Sequence, residues 1–265
     1  MMQASYHNHT TWSDGTSTVA EMIESARKAG LEEIGISDHF ALTLDNRRFS
    51  WALAPELLDA YVNEIQQAIA ATKGLVVRLG LEVDYFPDTI EWVRERLAPY
   101  PFDYVIGSVH FIDDFVIDLN AQPWETLSPD ERNGMWRGYW RLLRKAAETG
   151  FFDFIGHFDL PKKFKFFPSA DLTEDALAAL DAMAAADMAI EINGSGWDKP
   201  VAEAYPSPFY LREARKRNIP LVISSDGHTA DHIDRHFERA RQMALDAGYT
   251  ELVHFERRKR TACPL

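Results

Sequence analysis

Cysteine is almost missing from this chain: Cys263 is the only one in 265 residues. A disulfide framework, a cysteine-ligated zinc finger and a cysteine nucleophile are thereby excluded. Long apolar runs are lacking too. None approaches the ~20 residues that a membrane helix requires, and the first residues lack the basic-then-apolar pattern of an export signal, so a cytoplasmic protein with no membrane partner is expected. Basic residues are outnumbered, with 28 Lys and Arg against 41 Asp and Glu and a net charge of −13. That balance argues against a nucleic-acid partner, and an anionic substrate would need a locally positive pocket. The one basic cluster, Arg257 to Arg260 in "ERRKRT", reads as a solvated terminus. No Pro/Gly/Ser-rich linker, low-complexity segment or repeat interrupts the chain, so one domain over residues 1–265 is expected. Nothing sets an oligomeric state.

What is present is a regular alternation of short β-rich runs and amphipathic helical stretches. The runs are Ala4–His7, Glu33–Ser37, Val76–Val83, Tyr104–Val109, Phe152–Gly156, Met188–Ile192 and Leu221–Ser224. Between them the pattern predicts helices over Val19–Ala29, Pro55–Ala71, Thr89–Leu97, Pro129–Thr149, Glu174–Ala186, Pro208–Arg217 and Asp231–Ala247. Start and stop signals support several of these, among them Thr18, Ser128–Pro129, Gly30, Gly150 and Gly248. Seven βα units imply parallel strands, and a seven-stranded α/β barrel is favoured over a doubly wound sheet. Two long segments, Phe40–Pro55 and Phe111–Pro129, follow the second and fourth strands on the side where barrel enzymes build active sites.

The ionisable residues fall at the strand ends. His7 and His9, two apart and so on one face of a strand, end the first. Asp38 and His39 end the second, Glu82 the third, His110 the fourth, His157 the fifth, and Asp226 with His228 the seventh, while Asp14 lies in the first loop. Any one of them alone reads as a structural residue, and Glu82 within "LGLEV" as a satisfied buried carboxylate. Six of nine histidines at one rim, joined by three carboxylates, point instead to a shared metal site. Imidazole and carboxylate together suit zinc, iron or manganese, and so many ligands imply two to three divalent ions. Such a cluster would also supply the positive pocket. Its chemistry suits hydrolysis of a phosphate ester, with amide hydrolysis on an amidohydrolase-type barrel as the chemical rival.

The segments "HNHTTWSDG", "SDH" at Ser37–His39, "GLEVD", "GSVHFID", "GHFDL" and "SSDGH" together resemble the polymerase and histidinol phosphatase (PHP) family. Within it, "DYVIGSVHFID" and "KPVAEAYPSPFYL" resemble the histidinol-phosphatase branch. The resemblance implies a distorted seven-stranded TIM-like barrel with a trinuclear site. It implies that His7, His9, Glu82 and Asp226 hold one ion, that Glu82 bridges to a second on His110 and His157, and that Asp14, His39 and His228 hold a third. It further implies hydrolysis of L-histidinol phosphate, a step of histidine biosynthesis, by a metal-bridging hydroxide, with Glu82, Asp226 and His228 as catalytic residues. Alternatives are another small phosphate ester and a metal-binding accessory protein without turnover.

One departure bears on the substrate. The branch usually carries arginine where this chain has Asp198, and an aspartate cannot pair with phosphate. Lys162, Lys163 and Lys199 are therefore the expected phosphate ligands, with Ser195 and Trp197 beside them. Asp198 is expected as loop surface or as a partner for a substrate ammonium. Trp12, Trp51 and Trp197 are candidate walls for an imidazole-sized group, whereas Trp136 and Trp140, four apart on a helix, should pack inward. His232 and His236 in "ADHIDRHFERAR" read as solvent-facing, and neither they nor His254 are expected in the site.

Overall fold

In the computed structural model, which describes residues 4–265, the elements run in chain order as follows. They are β1 (Ala4–Ser5), α1 (Val19–Lys28), β2 (Glu33–Ile36), β3 (His39–Phe40), α2 (Leu58–Ala71), β4 (Val76–Leu79), β5 (Glu82–Asp84), α3 (Ile90–Leu97), β6 (Ile106–Ser108), β7 (Phe111–Ile112) and β8 (Phe115–Val116). The second half continues with α4 (Gln122–Glu125), α5 (Pro129–Glu148), β9 (Phe154–Ile155), α6 (Thr173–Ala185), β10 (Ala189–Asn193), α7 (Pro208–Lys216), β11 (Leu221–Ser224), α8 (Phe237–Asp246), β12 (Glu251–Glu256) and β13 (Lys259–Pro264). Thr18 and Ser128 each close a capping box with the glutamate three residues on, Glu21 and Glu131, which satisfies backbone N–H groups at the starts of α1 and α5. None of these helices is long and apolar enough to cross a membrane.

The expected third strand, Val76–Val83, is broken in the middle into β4 and β5, and the expected second, Glu33–Ser37, ends at Ile36 with β3 following after a second break, so that the two breaks divide the sheet. One parallel sheet has the order β1-β2-β4, and the other has β11-β10-β9-β6-β5-β3. They meet at a single bridge between Asn8 and Gly227, where His9 N–H donates to Gly227 O at 2.8 Å and Gly227 N–H to His7 O at 3.1 Å. The fold is thus α/β with parallel sheets, but no continuous ladder closes it into the expected barrel. Side chains explain the interruption. The Tyr61 hydroxyl reaches in from α2 to Gly80 O at 2.8 Å and Ile36 O at 3.2 Å, occupying backbone carbonyls beside both breaks. The Tyr104 ring fills the space left by two glycines: a Cβ on Gly35 would stand 2.0 Å from its hydroxyl, and one on Gly80 2.1 Å from the ring. Only glycine permits that approach.

The Arg257–Arg260 cluster is largely exposed, as expected, but it belongs to a folded hairpin rather than a loose tail. β12 and β13 pair antiparallel, with Arg257 and Arg258 turning the hairpin at φ 48° and 63°. Val253 and Phe255 pack onto Tyr6, Tyr104, Ile106 and Phe154. Aspartates at the strand entries receive the basic cluster: Asp103 accepts from Arg257 N–H at 2.9 Å, Arg258 pairs with Asp153 at 2.5 Å and Arg260 with Asp187 at 2.8 Å. The last expected helix also shortens. Residues 230–232 form a 3₁₀ turn, and α8 begins only after His236, which takes a left-handed conformation. Trp136 and Trp140 are buried as expected.

Candidate metal centre

β1 ends at Ser5, short of the expected Ala4–His7, yet the segment that follows still sends alternate residues to opposite sides. Asn8 turns away and donates to Ser5 O at 3.0 Å and Gly35 O at 2.9 Å, while His7 and His9 face inward, fully buried. Register then places Glu82 on β5 opposite His39 on β3. Around the fully buried Glu82, Oε2 lies 3.2 Å from His7 Nε2 and 3.6 Å from His9 Nε2, and Oε1 lies 3.0 Å from His157 Nε2 and 3.8 Å from His110 Nε2. Asp226 Oδ1 approaches His9 Nε2 at 3.4 Å and His7 Nε2 at 3.8 Å. Nearer the mouth, Asp14 Oδ1 stands 3.3 Å from His228 Nε2 and 3.7 Å from His39 Nε2. Seven of the nine expected ligands fall in overlapping groups whose donor atoms are mutually within 4.8 Å: His7, His9 and Glu82; His39, Glu82 and His110; and His9, Asp14, His39 and His228. His157 joins them through its contact to Glu82, and Asp226 through its contacts to His7 and His9. His157 and Asp226 hold positive φ of 27° and 51°, backbone that non-glycine residues adopt at a cost and that collects at functional sites.

These spacings suit ions better than hydrogen bonds. His7 Nε2 and both ring nitrogens of His9 are buried without a hydrogen-bond partner, while His39 Nδ1 stands 2.6 Å from Glu82 Oε2. Buried polar atoms are ordinarily satisfied. Two ligand atoms bound ~2.0–2.2 Å from one tetrahedral ion stand roughly 3–3.6 Å apart, the separation found here repeatedly. The residues therefore fit divalent ions, and the mixture of imidazole and carboxylate fits zinc, iron or manganese.

A second ring of residues orients the first. Glu191 on β10 binds His7 Nδ1 at 2.8 Å through Oε1 and accepts from His157 N–H at 2.9 Å through Oε2. Asp84 binds His110 Nδ1 at 2.9 Å, Ser108 donates to Glu82 Oε1 at 2.5 Å, and Asn193 and Ser195 donate to Asp226 Oδ2 at 3.1 and 3.2 Å. Asp38, a strand-end carboxylate, instead ties down the first loop, accepting from Thr10 N–H at 2.7 Å and Ser13 Oγ–H at 2.6 Å. Such partners fix tautomer and ring orientation. The sequence reading misses Glu191 and Asp84. The available signal was a carboxylate inside the apolar "MAIEIN" and a second one on the Glu82 face two residues on.

Electrostatics match the arrangement. Burial alone would raise the pKa of Glu82 and of Asp226, but His39 and His7 hold Glu82, and His7 and His9 hold Asp226, well below the usual carboxylate range. Both remain ionised. Burial, with His39 and His228 nearby, pushes His9 down to about 3, which leaves its ring neutral and able to donate a lone pair. Against the downward pull of burial, Asp84 and Glu82 carry His110 up to about 10, and Asp14 and Asp226 carry His228 to about 9.

Above the histidines opens a cavity of about 480 Å³, lined in part by Asp14, His39, His110, His157, Asp226 and His228. Of the expected substrate residues, Lys163, Lys199 and Ser195 line it, and so does Trp51. Lys162 does not: it is buried, with its ammonium 2.6 Å from Glu203 and 3.0 Å from Asp159. Trp197 faces a separate groove, 4.3 Å beneath the Arg239 guanidinium. Trp12 lies outside the cavity lining and donates to Glu64 Oε2 at 2.8 Å. Asp198 is bound by His236 at 2.9 Å and Arg235 at 3.4 Å and does not line the cavity. Contrary to expectation, His232 lines the cavity and His236 is half-buried. His254 is buried at the far end, 2.9 Å from the Tyr6 hydroxyl. Arg47, Asp118 and Arg235 are lining residues that the sequence reading does not single out. Among the described residues Lys199 has no carboxylate partner, whereas Lys163 pairs with Asp118 at 3.1 Å.

The sequence profile of the PHP domain matches residues 5–195. The chain is 38% identical to a probable histidinol-phosphatase of Deinococcus radiodurans, over 96% of each chain. It is 29% identical to the histidinol-phosphatase of Bacillus subtilis, over 90% of this chain and 98% of that one. Its fold is similar to the crystal structure of histidinol phosphate phosphatase from Lactococcus lactis in complex with zinc, L-histidinol and phosphate, with a TM-score of 0.83, 23% identity and 98% of each chain covered.

Proposed function

The chain belongs to the PHP domain family, and from that premise we propose that it is a metal-dependent phosphomonoesterase hydrolysing L-histidinol phosphate to L-histidinol and phosphate. The observation that carries this reading is Glu82, fully buried with five histidine rings within 3.8 Å, two of which, His7 and His9, keep ring nitrogens without a hydrogen-bond partner, beneath a cavity with an uncommitted ammonium at Lys199. The relatives' shared activity supports the substrate, and the zinc of the Lactococcus lactis complex supports the metal class. The seven strand positions then count as one distorted barrel with its seam at Asn8 and Gly227.

His7, His9, Glu82 and Asp226 would hold one ion, Glu82 with His110 and His157 a second, and Asp14, His39 and His228 a third. Bound there, divalent ions supply Lewis-acid stabilisation of the phosphoryl oxygens and a water nucleophile at neutral pH. The chain's own contribution is placement. Glu191 and Asp84 fix the imidazoles, and Asn193 and Ser195 fix Asp226. Lys199 draws the phosphoryl group inward, so the missing arginine at position 198 is replaced by a point charge one residue along. Trp51 and Phe111, stacked at 27° with centroids 6.0 Å apart, wall off water where the imidazole group would lie.

Phosphate release by the metal-loaded protein tests this. A kcat/KM for L-histidinol phosphate at least about tenfold above that for an aryl phosphate is expected. Equal values would leave a phosphatase acting on another small ester, and no turnover of either would leave a metal-binding protein.

A further inference from the structure

Three carboxylates line the cavity: Asp14, Asp118 and Asp226. Two of them belong to the ligand groups. Asp118 does not. It lies on the long segment between β8 and α4, half-buried, with Oδ2 3.1 Å from Lys163 Nζ. Lys163 comes from the 3₁₀ turn over Leu160–Phe164, immediately after His157. The same ammonium also donates to the Asp118 main-chain oxygen at 2.7 Å. An anion and a cation from two different loops thus stand side by side on the cavity wall.

We propose that Asp118 is the residue that makes this site select phosphate esters bearing a neighbouring ammonium. Its carboxylate receives the substrate ammonium while Lys163 turns to the phosphoryl group. The inference deepens the phosphatase reading above and rests on it. In L-histidinol phosphate the ammonium is on the carbon next to the phosphoryloxymethyl group, so the substrate presents opposite charges only a few bonds apart. The Lys163–Asp118 pair presents the complementary charges at similar spacing. Exchange of partners turns one ion pair into two and leaves no charge stranded. An ester without the ammonium would draw Lys163 away and leave the Asp118 carboxylate unpaired in a half-buried wall, a penalty that rejects it.

The backbone makes the exchange feasible. The bond from Lys163 to the Asp118 main-chain oxygen does not depend on the carboxylate, so the ammonium can pivot without releasing the loop. The other nearby acids are committed elsewhere: Asp114 pairs with Arg47 at the exposed rim at 3.0 Å, and Asp198 is held outside the cavity by His236 at 2.9 Å.

The test compares kcat/KM for L-histidinol phosphate and its des-amino analogue, 3-(imidazol-4-yl)propyl phosphate, in metal-loaded wild type, Asp118→Asn and Asp118→Glu. Wild type should favour the amino substrate by roughly 30-fold, Asp118→Asn should bring the ratio within about threefold of unity, and Asp118→Glu should restore part of it. The loss should fall on the amino substrate alone. An Asp118→Asn variant that slows both substrates equally and keeps the ratio overturns the proposal while leaving the phosphatase reading intact. A wild type that cleaves other phosphate esters but not L-histidinol phosphate overturns the substrate reading and this inference with it. Should Asp118→Asn fail to fold, product inhibition of the wild type decides. L-Histidinol inhibiting about tenfold more tightly than 3-(imidazol-4-yl)propanol supports the proposal, and equal inhibition overturns it.

Discussion

His7 Nε2 and Glu82 Oε2 lie 3.2 Å apart with both side chains fully buried, and His7 Nε2 has no hydrogen-bond partner. Burying two polar atoms so close without a bond between them is costly unless a cation spans them. Glu82 is the shared member of two ligand groups, so its loss should empty more than one position. Glu82→Ala is expected to lose at least one of about two to three bound ions and to slow phosphate release on the order of a thousandfold. Elemental analysis beside activity measurement checks this, and full metal content with full activity would remove Glu82 from the centre.

Glu191 never reaches the cavity, yet it grips two ligand residues, through His7 Nδ1 at 2.8 Å and His157 N–H at 2.9 Å. Glu191→Gln keeps the shape but removes the charge that orients His7. A loss of about 10–100-fold in metal affinity is expected, measurable by competition with a chromogenic chelator. An unchanged affinity would mean that packing alone orients His7.

Lys199 carries the pH prediction. Burial, with Lys163 alongside, holds its pKa below the ordinary lysine range. A lowered lysine pKa means that the ammonium is lost earlier as pH rises, and its attraction for phosphate with it. The kcat/KM profile should therefore fall on an alkaline limb below the ~10.4 of free lysine. Arginine stays charged, so Lys199→Arg should move that limb to higher pH. Lys199→Met should abolish it and lower kcat/KM by roughly 10–100-fold, the value of a hydrogen bond to a charged group. Superimposable limbs in wild type and Lys199→Arg would take Lys199 out of phosphate binding.

Gly35 and Gly80 make room for one ring. A methyl group on Gly35 would stand 2.0 Å from the Tyr104 hydroxyl. Gly35→Ala should destabilise the protein by about 1–3 kcal/mol or more through overpacking, seen as a lowered Tm. Tyr104→Phe removes the nearest of the atoms in conflict, leaving ring carbons at 2.7 and 2.8 Å, so the double variant should be somewhat less destabilised than the two single changes combined. Additive losses would show that the ring is not what Gly35 accommodates.

Eight of the nine ligand-type residues stand at or just past the end of an apolar run, and in parallel βα units every such end faces one rim, so their convergence was legible from sequence; Asp14, in the first loop, was placed by the motif alone. The orienting residues were not. A glutamate inside "MAIEIN" looks like any buried carboxylate until His7, 184 positions earlier, is placed against it. Lys162 and Lys163 are adjacent and chemically alike, and only the 3₁₀ turn sends one into the cavity and the other under Tyr205. "ELVHFE" alternates as a strand should, but its hairpin turns on two arginines in left-handed backbone, without the Asn or Gly that usually marks such a turn. The closed ladder was expected from seven matching strands, and no periodicity announces that Tyr61 and Tyr104 interrupt two of them.

The aromatic residues at the far end of the strands, Tyr6, Tyr104, Phe154 and Phe255, have one more consequence. They fill the fold at the strand ends opposite the histidines, so the cavity is closed on that side. A phosphate ester that puts its phosphoryl group down among the ligands leaves its alcohol portion nearest the exit. The alcohol must depart before the phosphate can follow, and the next substrate must wait for the phosphate. Product inhibition should accordingly be competitive for phosphate and noncompetitive for the alcohol, an order of traffic imposed by four rings that touch neither product.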